Sequence, residues 1–479
     1  MKAYLRPVWL ISKRELRDQL RDWRILSPLI ILTVGFPILM NGFAYEAVRF
    51  ANQYGGNLIV DRLVPFSVLI IGFFPLTISL LGALESFVGE KERGTIEPLL
   101  CTPLSDWQLY LGKLLVGVIT PLVSSLVAIG IYLLVVSRQD VNMPDATVFA
   151  QLFLLTIAHA VLMVSAAMVF SIQSTSVKAA NLMASFIIIP VALLMQGESA
   201  LLFWGNNQVL WLAVPAVFIM AGLMVRLGLA HFQREYLLGH EIDVLNIRWM
   251  ARTFWNYFKG DANSFLGWYR DSVGGTLRKL RKPITLLVVF AVVCTGIAYI
   301  WAVGNLQGYL DAARPDQMVE IQKQLIRASD FSDVSRELTA PYLFLHNFEA
   351  TLLIGFFGLF SFGVLGVILY LVNTTVIGLL LGLFQLMGYA PVPLALAGIL
   401  PHGIFEIPAL LLSCAVILQS GLVLVTPQAG RTIGEILIEA LADWSRVLVG
   451  LVIPLLAIAA YIESHITPQL LMNMMNSIK

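Results

Sequence analysis

The chain has 479 residues, of which 58% are hydrophobic and 13% charged, and its mean hydropathy is +0.81. A soluble domain carries about a quarter charged residues, so this composition excludes an ordinary globular enzyme, a disordered chain and a collagen. With 31 Lys+Arg against 30 Asp+Glu, whole-chain charge says nothing about nucleic acid, and no nucleic-acid partner is expected. Three cysteines, Cys101, Cys294 and Cys414, are too few for a disulfide framework.

A hydrocarbon core about 30 Å thick needs about 20 apolar residues per helix. In chain order, the runs that meet this length are Ile25–Tyr45, Leu63–Leu84, Leu114–Ser137, Phe149–Ser171, Ala179–Gly197 and Val209–Val225, then Pro283–Gly304, Ala350–Leu371, Val376–Leu396 and Pro408–Val425. Val447–Tyr461 is shorter, with Trp444 and Tyr461 marking its two interfaces. The expected fold class is an all-α polytopic membrane protein of about eleven transmembrane helices, six plus five. Alternating patterns are nearly absent, which excludes a β-barrel.

Placing the N-terminus in the cytosol puts 21 Lys and Arg on inside segments and 7 on outside ones. The positive-inside rule therefore orients the chain that way, as a multi-pass protein of the cytoplasmic membrane. Residues 1–24 are too charged for a signal peptide. The domains read as 1–230 with six spans, a basic cytosolic linker at 231–282, and a membrane domain at 283–479 with an extracytoplasmic loop at 305–349. Ten Lys and Arg against five Asp and Glu in 226–282 mark an anchor on anionic lipid. Met318, Ile321 and Leu325 predict an amphipathic helix in the loop.

Leu5, Trp9, Leu16, Leu20 and Trp23 share one helical face, with Lys13, Arg14, Arg17 and Arg21 largely off it. This predicts an amphipathic helix lying in the headgroup plane. The second span then continues into Glu90, Lys91, Glu92 and Arg93, and Gly94 supplies a left-handed position to end it. Thr95 is placed to cap a short helix with Glu97 in its first turn, and Ser105 with Gln108 makes a capping box for the third span. The result is a rigid corner joined to two spans without slack.

Glu90-Lys91-Glu92-Arg93-Gly94-Thr95-Ile96-Glu97, Leu99-Leu100, Thr102-Pro103-Leu104-Ser105 and Gly112-Lys113 strongly resemble the signature of ABC-2-type exporter permeases over residues 1–230. The resemblance implies that Thr95–Cys101 is a coupling helix docking on a separate ABC ATPase subunit, and that Glu92 and Arg93 brace the corner. Glu90, Glu92, Arg93, Gly94, Thr95 and Glu97 are the expected ATPase-coupling residues. It also implies a second permease copy or a paralogous permease. The phosphate-binding pattern G-x-x-x-x-G-K-[ST] is missing, since Gly112-Lys113 lacks the earlier glycine and the following Ser/Thr. ATP and Mg are therefore expected on the partner, with no cofactor, metal or catalytic residue on this chain.

The second membrane block holds one ionisable pair, His402 and Glu406, among Pro401, Gly403 and Pro408. Such groups are functional candidates by default, and the prolines predict a broken helix. This segment, with the long loop, His346-Asn347 and Asn373, resembles the stage II sporulation protein M family over residues 235–465. That family is linked to cell-envelope remodelling. At spacing i,i+4 the pair reads as a structural polar clamp, a proton relay or substrate contact, or a zinc site; the last is disfavoured because no third ligand is near in sequence. His159, alone in the fourth span, reads as a packing histidine. Glu435, Glu439 and Asp443 read as a solvated acidic stripe.

The function expected from these features is the permease subunit of an ABC exporter, with an amphiphilic cargo favoured by spans that carry almost no charge. A non-transporting scaffold recruiting envelope-remodelling enzymes through residues 305–349 is the alternative.

Overall fold

Without alternating patterns there is nothing to form a half-buried sheet, and the described residues contain helices and no strand. The computed structural model describes residues 2–54, 57–138, 143–174, 176–204, 207–232, 247–262, 264–312, 339–426 and 431–478. Among these, ten helices are long and apolar enough to cross a membrane. The chain is thus an all-α multi-pass membrane protein. It divides into two compact units, Met1–Leu245 with Val425–Pro427, and Asn246–Leu424 with Gln428–Lys479.

The first unit contains α1 (Lys2–Gln19), α2 (Trp23–Tyr54), α3 (Asn57–Glu92), the short α4 (Ile96–Leu100), α5 (Asp106–Val136), α6 (Ala146–Gln173), α7 (Val177–Trp204) and α8 (Leu210–His231). The predicted fifth span lies in α7, whose described apolar stretch, Ile187–Leu202, is shorter than the ten. α6 forms the core: Leu155, Ala158, Met163 and Ala167 are fully buried. Small residues let its neighbours approach, as in other membrane bundles; a Cβ at Gly117 of α5 would lie 2.6 Å from Val164 Cγ1. The helices run through Pro75, Pro121, Pro190 and Pro215. On α1, Trp9 is exposed, as is Leu20 just past its end, as a lipid-facing stripe requires, while Val8 and Ser12 are buried.

The second unit contains α9 (Ile247–Lys259), α10 (Arg281–Ala312), α11 (Ala340–Phe360), α12 (Val364–Leu386), α13 (Leu400–Leu424), α14 (Ile433–Val447), α15 (Ile453–His465) and α16 (Thr467–Ile478). Its core gathers Leu287, Ile354, Tyr370, Ala409, Cys414, Val447 and Leu456. The loop expected at 305–349 is shortened at both ends, because α10 runs to Ala312 and α11 starts at Ala340. The helix predicted around Met318 lies outside the described residues.

Two spans are displaced from their predicted places. The runs Ala350–Leu371 and Val376–Leu396 were the expectation, yet α11 ends at Phe360 and α12 begins at Val364. The chain reverses in three residues, Ser361, Phe362 and Gly363, with φ of 54° at Phe362 and 95° at Gly363. The Gly363 N–H donates to Gly358 O at 2.7 Å, and Ser361 Oγ accepts from Leu365 N at 2.8 Å. The backbone groups are therefore satisfied internally, as a water-poor setting demands. A turn built this way has no polar stretch to announce it.

The expected break around Pro401 and Pro408 is also corrected. α13 runs through Pro408, and the irregularity sits just upstream as a π-helical stretch, Ala395–Ile399. The wider turn takes up the missing N–H of Pro401.

The acidic stripe on α14 is not merely solvated. Glu435 closes a capping box with Thr432. Glu439 pairs with Arg431, and Lys279 lies 3.5 Å from Glu439 and 3.6 Å from Asp443. Asp443 also holds Arg446 at 2.6 Å, and Arg446 Nε donates to Phe258 O at 3.1 Å. Residues 247–282 thus fold onto α14 through these contacts.

Gly363 needs both its positive φ and its missing side chain, since a Cβ there would lie 2.9 Å from Leu418 Cα; Gly388, at φ of 90°, faces open space. Gly363→Ala is therefore expected to destabilise by about 2–4 kcal/mol and Gly388→Ala by about 1–2 kcal/mol. Thermal unfolding of the two variants in detergent checks this order; equal midpoints would contradict the tight-turn account.

Candidate functional site

The corner between the second and third spans is built from backbone geometry first. α3 ends in a Schellman motif: Gly94, at φ of 67°, donates its N–H to Lys91 O at 3.1 Å, and Thr95 N donates to Glu90 O at 2.9 Å. α4 follows at once, burying Ile96, Leu99 and Leu100 while Glu97, Pro98 and Cys101 stay exposed. Gln108 Oε1 accepts from Ser105 N at 3.1 Å and starts α5 as expected. One detail differs from the prediction. The Thr95 hydroxyl donates to the Glu90 carboxylate and makes no cap on α4.

The charged residues of the corner divide into two sets. Glu90, Lys91 and Glu92 make contacts to other helices. Lys91 Nζ donates to Ile172 O at 2.6 Å and Ser174 O at 3.1 Å, occupying carbonyls at the end of α6 that have no partner within the helix. Glu92 accepts from Val177 N at 2.7 Å, satisfying a free amide at the start of α7 where the helix dipole also favours a carboxylate. Glu90 lies 3.6 Å from Lys113 Nζ and 3.9 Å from Arg14. By contrast Arg93, Gly94, Thr95 and Glu97 are exposed. Arg93 has no ion pair within 4.0 Å among the described residues and lines a cleft with Asp22, Glu85 and Glu90.

Lys113, which stands in the signature but not among the expected coupling residues, is the junction of this unit. Its ammonium is buried, with a side chain only 2% exposed, and lies 2.7 Å from Glu15 of α1 and 2.9 Å from Ser86 O of α3. The Phe87 ring sits 5.3 Å away, in cation–π range. Gly112 beside it lets α1 approach: Ser12 Oγ donates to Gly112 O at 2.8 Å, and a Cβ there would be 2.9 Å from Ile11. The Gly112-Lys113 pair, which fails as part of a phosphate loop, thus joins α1, α3 and α5. The signal in the sequence is a lysine at the eighth position of a helix that carries no further charge to its end at Val136.

Elsewhere in this unit, His159 is not alone. Its Nε2 lies 3.4 Å from Glu198 of α7, with both side chains fully buried, and its Nδ1 is 2.9 Å from Leu155 O. Glu198 falls one residue beyond the predicted span, so spans counted as almost free of charge contain a buried carboxylate.

In the second unit, α13 carries His402 and Glu406 one turn apart. Glu463, near the end of α15, brings a third ligand atom to them, and all three such atoms lie within 4.8 Å of one another. His402 Nδ1 is 3.2 Å from Thr467 Oγ1. Glu406 lies beside Asn347 and His346.

Helices long and apolar enough to cross a membrane, with a stapled corner between the second and third of them, define a polytopic helical membrane domain. Residues 9–231 match the ABC-2 family transporter protein family, and residues 285–468 match stage II sporulation protein M. The two matches cover successive parts of the chain, the first in its N-terminal part and the second in its C-terminal part. Over 109 residues it is 37% identical to the probable ABC transporter permease protein NosY of Pseudomonas aeruginosa, covering 22% of this chain and 38% of that protein. The NosY protein of Stutzerimonas stutzeri is 34% identical over 110 residues, covering 23% and 38%. The chain thus spans about four tenths of the length of these curated relatives.

Removing the Lys113 ammonium leaves Glu15 and Glu90 without their shared cation. Lys113→Met is therefore expected to cost about 3–5 kcal/mol, whereas Arg93→Ala, at an exposed position, should stay within about 0.5 kcal/mol of wild type. Thermal unfolding of the purified variants reads both, and a neutral Lys113→Met would refute the bridging role.

Proposed function

We propose that the chain is the membrane-spanning permease subunit of an ABC exporter of the cytoplasmic membrane, with a cytosolic N-terminus. A separate ABC ATPase subunit binds ATP and Mg and supplies the energy, and a second permease, either another copy of this chain or a paralogue, completes the working unit. This chain itself is a transport subunit without hydrolytic chemistry. The single observation that supports this reading most is the division of the corner. One edge, with Gly94, Thr95, Glu97 and Pro98, faces outward, while Lys91 and Glu92 grip the loop joining α6 to α7.

The mechanics follow from those bonds. A push on α4 has no slack to absorb it on either side, because the Schellman turn ties it to α3 and the capping box ties it to α5. Through Lys91 and Glu92 the same push reaches the facing ends of α6 and α7. Through Glu90, Lys113 and Glu15 it reaches α1, the interfacial helix. Five helices therefore move together when the motor closes, and the spans reorient around the transport path.

The test uses the full chain, co-purified from membranes with its ATP-hydrolysing subunit. Glu97→Arg reverses a charge on the exposed edge, and Gly94→Val forces a β-branched side chain into a left-handed position. Both variants are expected to remain folded and to lose at least tenfold of the co-purifying ATPase activity. Full ATPase association and activity in both would overturn the coupling role of this corner.

A further inference from the structure

We propose that His402, Glu406 and Glu463 form a binding site for one divalent transition-metal ion of the zinc class. Three observations carry it. The three ligand atoms converge from two helices to within 4.8 Å of one another. Metal–ligand distances of about 2.0–2.2 Å place first-shell atoms about 3–4 Å apart, so a small side-chain adjustment closes the set around an ion. The chemistry of the donors is the second: one imidazole with two carboxylates suits a borderline cation.

The third is the electrostatic account of the site. Two carboxylates side by side and away from water repel one another unless a positive charge or a shared proton intervenes. Among the described residues, neither Glu406 nor Glu463 has a lysine or arginine within ion-pair distance. Glu463 Oε2 is moreover shut off from solvent without a hydrogen-bond partner. An acceptor in that position is destabilising unless something cationic meets it. A divalent ion neutralises both carboxylates at once and uses the orphaned oxygen as a ligand.

The surroundings are arranged as outer-shell partners are in metal sites. Thr467 engages Nδ1 of His402, which leaves Nε2 as the imidazole donor. Asn347 lies beside Glu406, placed to orient its carboxylate. With three protein ligands, the ion keeps at least one position open for water or a bound group, the arrangement of reactive rather than purely structural sites.

The experiment titrates zinc into the tag-free, chelator-stripped full chain in detergent, in competition with a chromophoric chelator. Wild type should bind one zinc ion per chain. Glu463→Gln and His402→Ala should each weaken binding at least 100-fold, and Thr467→Ala about tenfold. Monodispersity on size exclusion confirms that each variant is folded. Cobalt added to wild type gives an independent readout that needs no variant, a visible d–d absorption band quenched by zinc. Absence of stoichiometric zinc and of that band in wild type would mean that the carboxylates share a proton, and the proposal fails. It fails equally if the variants bind zinc as tightly as wild type.

Discussion

A lysine ammonium withdrawn from water must find its charge and hydrogen bonds inside the protein, and the first unit is organised around one such group. Lys113 sits at the cytosol-proximal end expected for α5 and draws in Glu15 from α1, Ser86 O from α3 and Glu90 from the end of the same helix. Because its partners come from both α1 and α3, the lysine on α5 fixes where α1 lies against the spans. It also places Glu90, whose other contact is the Thr95 hydroxyl. The geometry of the corner therefore depends on a cation on α5, beyond the short α4 helix itself.

That dependence explains why the corner's acidic and basic residues do different work despite being adjacent. Helix periodicity sends Glu90 and Lys91 inward, toward Lys113 and the carbonyls ending α6, while Arg93 and Gly94 emerge on the far side as α3 stops. Orphan groups at helix ends, which any buried helix must satisfy, become the attachment points. A charged motif that looks like a solvated turn is half anchor and half exposed edge.

In each unit one buried or half-buried histidine meets a carboxylate from a helix distant in sequence: His159 with Glu198, and the His402–Glu406 pair with Glu463. A lone ionisable side chain in hydrocarbon is costly, so its partner is worth seeking even where the surrounding sequence shows none. The fully buried histidine–glutamate pair has one acid for one histidine, whereas the second cluster has two acids for one histidine.

Apolar runs of sufficient length identified the helical class, the spans of the first unit and the capping signals of the corner, because these depend on local composition and on contacts three or four residues apart. Gly94 in a left-handed position and the capping box at Ser105 were legible for the same reason. The turn at Ser361–Gly363 was not, because its residues are small or apolar and its backbone bonds are satisfied only by the two helices it joins. Nor did the sequence indicate that Lys113 meets Glu15 across 98 residues, or that Glu463 reaches His402 across 61. Such pairings are decided by helix packing, which brings together groups whose separation along the chain carries no trace of their separation in space.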